Sequence, residues 1–277
     1  MAILFALLAA GAYGVSDFIG GLASRRVPAI TVLVASYPIG ALLMAAMLSV
    51  YGGPVSASTL TWSVAGGVAG LAGVALLYTA LGQAPMNVIS PVTAVLSAVV
   101  PVLAGVLQGE RPHLLAWLGM ALGLAAVVLI SRQPADHPHG PIAWRPLLMA
   151  VLAGVGFGAY FVCLAQSDPD SGLWPVVLSR LVSAILVLPL AAVGAAFVRM
   201  PPAVLRLAAV AGVLDATANL GFLLASRHGL LSLSGVITAL YPAGTVLLAA
   251  LILKETTGRV QRIGLGVATA AVVLLTR

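Results

Sequence analysis

Apolar runs of about 20 residues follow one another from end to end of the chain, separated only by short gaps that hold Gly, Pro and charged residues. Each run is long enough to cross a hydrocarbon core of about 30 Å as a helix. A helix satisfies its backbone polar groups within the segment, as a lipid-exposed span must. Composition agrees: 61% of the 277 residues are hydrophobic and 7% are charged, against about a quarter charged in soluble domains. The sequence therefore predicts an all-α integral membrane protein, multi-pass, with no stretch left over for a soluble domain.

The 13 basic and 7 acidic residues give a net charge of +6, a balance that nucleic-acid binders share. Here the basic residues sit in the gaps between apolar runs, as topology-setting flanks do, and form no stripe with interleaved aromatics. No nucleic-acid partner is expected. Cys163 is the single cysteine, which excludes an intramolecular disulfide, a CxxC redox pair and a multi-cysteine zinc site. Asp136, His137 and His139 cluster in a Pro-rich gap without helical spacing or a fourth ligand, so no metal and no cofactor is expected. The first run, MAILFALLAAGAYGVSDFIGGLA, lacks a basic n-region and carries an acid late in its length; it is expected to stay as the first helix rather than be cleaved.

Cutting at Gly, Pro and charged clusters predicts ten transmembrane helices, near 2–22, 30–50, 60–82, 86–108, 113–131, 146–166, 173–198, 204–226, 230–253 and 259–276. The longest gap, SRQPADHPHGPIAWR (131–145), has the composition of a linker. It divides the chain into a first five-helix unit (1–132), a linker loop (133–145) and a second five-helix unit (146–277). A shift of 145 residues lays TAVLSAVVPVLAGVLQGE (93–110) on TALYPAGTVLLAALILKE (238–255), so that Glu110 falls on Glu255, Gly119 on Gly264 and Arg132 on Arg277. Five is odd, so consecutive copies must cross the membrane in opposite senses. The expected architecture is two inverted five-helix repeats around a central cavity, a recurring construction of secondary transporters.

YGVSDFIGGLASRR in the first span, LQGERP between spans four and five, and LILKETTGRVQRIGLGVA at the corresponding place in the second half resemble the EamA-type branch of the drug/metabolite transporter (DMT) superfamily. The resemblance covers essentially the whole chain. Where that family commonly has Trp-Gly in the first helix, this chain has Tyr13-Gly14. The resemblance implies a carrier of metabolites, amino acids or drugs that works without ATP, with both termini cytoplasmic.

Three charged residues lie well inside predicted helices: Asp17, Arg180 and Asp215. An acid at a helix centre costs about 2.5–3.5 kcal/mol on insertion scales, and those that persist usually face a cavity or an opposite charge. In span eight Gly212, Asp215, Asn219 and Phe222 recur at three- and four-residue steps, which puts them on one face. Tyr13, Ser16 and Asp17 cluster in span one, Ser90, Thr93 and Ser97 in span four, and Ser234, Thr238, Tyr241 and Thr245 in span nine. With Tyr78 and Tyr160 these form the expected wall of a substrate or coupling-ion cavity. Two readings compete for the charges. Arg180 and Asp215 either form a permanent pair that pins span seven to span eight, or one or both acids exchange a proton during transport, since burial favours a carboxyl's neutral form. Hydroxyls in membrane helices, for their part, commonly bond their own backbone or glue helices together.

Gly66, Gly70 and Gly73 share a face of span three, and Pro91, Pro101 and Pro242 offer bends in spans four and nine. Glu110 and Glu255 end matching helices and are expected to set loop structure. For orientation, Arg25, Arg26, Arg132, Arg145, Arg199, Arg206, Lys254, Arg259 and Arg262 flank one face against Arg111, Arg227 and Arg277 on the other. The positive-inside rule then puts both termini outside, opposite to the resemblance.

The function expected is secondary, non-ATP transport of a small organic metabolite or drug by alternating access, with protons or an exchanged solute as coupling partner. A bacterial inner membrane is the expected location, and monomer and homodimer both remain open. No GxxxxGK[ST], HExxH or GxSxG signature occurs. The alternatives are a channel-like or facilitative membrane protein and, further off, an intramembrane enzyme.

Overall fold

The computed structural model describes residues 1–277 apart from 25, 82, 84–85, 132–142, 195–198, 253–257 and 277; at 78, 81, 86–88, 90, 91, 131, 246, 249 and 250 it describes the backbone alone. The described residues are helical, without a strand. The helices are α1 (Ala2–Ser24), α2 (Ala29–Tyr51), α3 (Ala57–Leu81), α4 (Met86–Leu107), α5 (Leu114–Ser131), α6 (Trp144–Gln166), α7 (Trp174–Val193), α8 (Pro202–His228), α9 (Leu231–Thr238), α10 (Pro242–Ile252) and α11 (Arg259–Leu275), with a 3-10 turn at Pro169–Ser171. Every expected span has a helix beginning within three residues of its expected start.

Six helices, α1, α2, α3, α6, α7 and α8, are long and apolar enough to cross a membrane, and Val92–Leu107 and Leu114–Ile130 are shorter apolar helical stretches. Their outward sides carry large apolar residues such as Leu42 (70% exposed), Leu107 (86%) and Ile185 (65%). Bare leucine of that kind is costly against water and costs nothing against lipid. The interior is instead rich in small residues, with Ala6, Ala9, Ala94, Ala98, Ala208 and Ala225 fully buried. Without a hydrophobic drive between helices in lipid, such residues let backbones approach closely.

Packing follows that rule. The most extensive pairings are α1 on α8, α3 on α6 and α5 on α11, followed by α4 on α6, α2 on α8 and α7, and α3 on α7. Gly212 of α8 sits on the backbone of Ser36 in α2, and a Cβ at Gly67 of α3 would come within 2.6 Å of the Ser179 carbonyl in α7. At the α5–α11 contact a Cβ on Gly119 would lie 2.8 Å from the side chain of Leu275, and one on Gly264 would lie 2.7 Å from the backbone of Ile130. The Gly66 and Gly70 face of α3 accommodates the ring of Tyr160 from α6, and Gly73 that of Phe157.

One expected helix is divided. The sequence predicts a single span over 230–253, whereas α9 ends at Thr238 and α10 begins at Pro242. Pro242 has no N–H to give the helical acceptor Thr238. The Tyr241 N–H takes that carbonyl instead at 3.1 Å, Leu240 bonds Ile237 at 3.2 Å, and Ala243 bonds Leu240 at 2.9 Å. The chain thus tightens into three-residue hydrogen bonding through Ala239–Tyr241 before the helix resumes. Consequently Ser234 and Thr238 belong to one helix and Thr245 to the next, with Tyr241 in the turn between. Pro38 in α2, Pro189 in α7 and Pro101 in α4 interrupt nothing comparable.

Candidate functional site

Asp215 and Tyr13 lie at the midpoints of α8 and α1. The Tyr13 hydroxyl donates to Asn219 Oδ1 at 2.6 Å. Asn219, one turn along α8 from Asp215, donates from Nδ2 to the Asp215 carbonyl at 2.7 Å and to its Oδ2 at 3.4 Å. Asp215 Oδ2 in turn holds Arg180 Nη2 of α7 in an ion pair, and the Arg180 guanidinium stands over the Tyr37 ring of α2 at 5.8 Å. A polar chain therefore runs across the molecule from α1 through α8 and α7 to α2. Helices α7 and α8 otherwise touch only lightly, so the ion pair bridges the interior.

Burial is unequal along this chain. Arg180 is 3% exposed, while the Asp215 side chain keeps 33%. Arg180 also has Nη1 and Nε buried without a hydrogen-bond partner among the described residues. It fits because Gly40 of α2 leaves room: a Cβ there would stand 2.6 Å from Nη1. Tyr160 of α6 closes the side, near Ser179 and within the field of Arg180 and Asp215.

Asp17 differs from Asp215. Its side chain is exposed although it sits within a span, and among the described residues it forms neither a hydrogen bond nor an ion pair. It stands four residues after Tyr13 on α1, on the same helical face, and its charge acts on Asp215, Tyr13 and Tyr241. One turn earlier Gly14 allows α1 to lie against the divided helix: a Cβ would come within 2.7 Å of the Tyr241 carbonyl, and Thr245 donates its hydroxyl to the Gly14 carbonyl at 3.1 Å. On the other side of α1, Ser16 donates to the Ala211 carbonyl of α8 at 2.9 Å. Aromatic rings gather beside these groups. Tyr13 lies 6.3 Å from Tyr241 and 6.0 Å from Phe161, and Phe161 stacks on Phe222 at 4.3 Å.

The structure brings together Tyr13, Asp17, Tyr160, Arg180, Asp215, Asn219 and Tyr241 of the residues picked from sequence. The hydroxyls fare differently. Thr93 donates to the Ala150 carbonyl of α6 at 3.1 Å and Ser97 to its own helix at Ala94, 2.8 Å. Thr93 thus joins α4 to α6, and Ser97 satisfies its hydroxyl within α4. Ser234 and Thr238 are buried, and Thr238 Oγ1 has no partner among the described residues. The side chains of Tyr78 and Ser90, the cluster of Asp136, His137 and His139, and Glu255 lie outside the described residues. Sequence reasoning missed Tyr37 and Phe161. Ser36 and Gly40, four residues apart on either side of Tyr37-Pro38, are the sequence signal that α2 has an inward face there.

One end of the bundle is tied shut. Arg227, at the end of α8, donates from Nη1 to the Gly172 carbonyl at 2.9 Å and from Nη2 to the Asp168 carbonyl at 3.1 Å and Ser171 Oγ at 3.3 Å. The same loop meets the end of α2 through Leu173 N–H to Tyr51 at 3.0 Å and Trp174 Nε1–H to Gly53 at 2.9 Å. Glu110 accepts the Leu231 and Ser232 N–H groups, the latter at 3.1 Å, so its carboxylate caps α9 where the helix dipole is positive. Gln166 and Gln108 join α6 to the end of α4 at 2.5 Å.

The model of the EamA-like transporter family matches residues 1–132 and 144–277. Among solved structures 29 chains match. One of these, a crystal structure of a protein, superposes over 99% of this chain and 96% of its own with a TM-score of 0.81 at 19% identity; a likeness at that identity shows the fold alone. No curated protein matches.

Proposed function

Since the chain belongs to the EamA-like transporter family, and so is a multi-pass membrane transporter of the DMT superfamily, we propose that it carries a small organic solute by alternating access around the Asp215–Arg180 pair. The observation that carries this reading is the polar chain Tyr13–Asn219–Asp215–Arg180, held at the middle of α1 and α8 with the Asp215 side chain 33% exposed. Charges at that depth are retained where they serve a pathway or a site.

The scaffold supports two inverted copies, 1–132 and 146–277, of five spans each, with α9 and α10 together forming the ninth of ten. Under the 145-residue shift α1, α2, α3, α4 and α5 correspond to α6, α7, α8, α9–α10 and α11. The packing of α1 on α8 then corresponds to that of α6 on α3, and α2 on α8 to α7 on α3, while α2–α7 and α5–α11 map onto themselves. Individual residues follow: Gly119 meets Leu275, and their counterparts Gly264 and Ile130 meet each other. Such exchange relations are those expected of halves related by an axis in the membrane plane.

The contacts of Arg227, Glu110, Trp174 and Gln108 tie together the end that holds the α8–α9 turn, which favours access from the opposite end in this conformation. Asp17 has no cation beside it among the described residues, which favours protons as the coupling ion. The bacterial inner membrane is the location this reading assumes. Saturable counterflow in proteoliposomes separates such a carrier from a channel. Asp17→Asn and Asp215→Asn should abolish gradient-driven uptake while leaving folded protein; unchanged proton coupling in both variants rejects the relay.

A further inference from the structure

Away from the helix ends the charges in the spans do not balance: two acids, Asp17 and Asp215, stand against one cation, Arg180. Arg180 and Asp215 close on one another. The remaining negative charge is Asp17, exposed and without a partner among the described residues, with Asp215 as its charged neighbour. One turn before it on α1 stands Tyr13, whose ring is inclined to that of Tyr241, centroids 6.3 Å apart at 59°, and to that of Phe161, 6.0 Å apart at 57°. An unpaired carboxylate beside aromatic faces is the chemistry that recognises an ammonium group, through charge on one side and ring quadrupoles on the other. Resting on the carrier reading above, we propose that the transported solute is an organic cation, a protonated amine on an aromatic or other apolar body. Asp17 is its counter-charge, and the partly buried rings of Tyr13 and Tyr241 are its walls.

Other ligand charges fit less well. An anion would meet Asp17 uncompensated, and its natural partner Arg180 is already held by Asp215, with Nη1 packed against Gly40 and the guanidinium over Tyr37. A neutral ligand seated against Asp17 would strip water from its carboxylate and return nothing for it. A cation supplies the missing charge and leaves the Arg180–Asp215 pair undisturbed.

The test is saturable binding of radiolabelled phenethylammonium to the purified full-length chain, with phenylalanine and 3-phenylpropionate as competitors of the same body and different charge. The expected result is saturable amine binding that 3-phenylpropionate does not displace, weakened at least tenfold in Asp17→Asn and largely kept in Asp17→Glu. Amine binding as tight in Asp17→Asn as in the parent chain overturns the proposal. So does displacement by 3-phenylpropionate at the amine's own concentration, and so does the lack of saturable amine binding. Were Asp17→Asn to misfold, the competition on the parent chain decides alone. Counterflow separates this inference from the carrier reading: liposomes that exchange 3-phenylpropionate or phenylalanine but not the amine keep a carrier and overturn the cation, whereas amine bound without counterflow keeps the cation site and overturns the carrier.

Discussion

Removing Asp215 should hurt the fold more than removing Arg180, and removing both should hurt less than removing Asp215 alone. Breaking a buried ion pair by deleting one partner costs about 3–5 kcal/mol, because the survivor is left buried and uncompensated. The two survivors here are unlike. Arg180 is 3% exposed and, without Asp215, would keep its charge with a third unsatisfied nitrogen; Asp215 at 33% can be hydrated once Arg180 is gone. The cost of Asp215→Asn is therefore about 3 kcal/mol, near the low end of that range, and that of Arg180→Met about 1–2 kcal/mol, since water takes over part of the stabilisation. The double variant Arg180→Met with Asp215→Leu buries no charge and should cost about 1 kcal/mol or less. Thermal unfolding in detergent reads the order directly, with about 2–4 °C per kcal/mol for a chain of this size. Asp215→Asn should melt about 6–12 °C below the parent chain, and the cycle should be non-additive in the sense that the double variant recovers. A larger loss for Arg180→Met than for Asp215→Asn, or additive losses, would refute the claim that the pair's burden lies on the arginine.

Two further expectations concern the scaffold. Glu110→Ala removes both acceptors from the start of α9 and should cost about 1–2 kcal/mol, visible as faster hydrogen exchange at 231–233, with Glu110→Gln recovering part of the protection because a neutral oxygen still accepts. Gly212→Leu forces a side chain into the backbone of Ser36 and should leave no monodisperse protein on size exclusion, while Gly266→Leu, with nothing within 4 Å of its Cβ position, should purify like the parent chain; equal behaviour of the two would remove close α2–α8 approach as a requirement.

The fold was legible because membrane spans obey few rules. Length and apolarity placed the start of a helix in each expected span, and Gly119 and Gly264, singled out as repeat markers, pack at the same contact. The division of the ninth span was half legible. Pro242 announces a bend, but Pro101, read the same way from sequence, leaves its helix whole, as do Pro38 and Pro189. What separates Pro242 is tertiary: α1 offers Gly14 against the Tyr241 carbonyl and takes the Thr245 hydroxyl, which no local pattern encodes. In the candidate site, Asp17, Arg180 and Asp215 stand out by their cost in lipid and Asn219 by its place on the face of Asp215. Thr93 and Ser97 were over-read, since a hydroxyl can satisfy itself on a backbone carbonyl and its presence therefore says little. Phe161 and Tyr37 were under-read for the converse reason, that an aromatic in an apolar run carries no cost to betray it.

The proposed repeat and the site stand in an instructive relation. At the 145-residue shift Asp17 faces Val162, Arg180 faces Ala35, Asp215 faces Gly70 and Asn219 faces Val74, so none of the polar chemistry is repeated. What does repeat is the small-residue packing: Gly67 with Gly212 at the α3–α7 and α2–α8 contacts, and Gly119 with Gly264 at α5–α11. Alternating access asks for that combination. Two halves that exchange shapes need equivalent helix contacts available in either arrangement, and close glycine contacts supply them with few side chains to repack. A solute that stays at the midplane while the halves move around it needs only one set of ligating groups. One copy can then carry Asp17 and the other Arg180, Asp215 and Asn219, provided that they meet where the halves join.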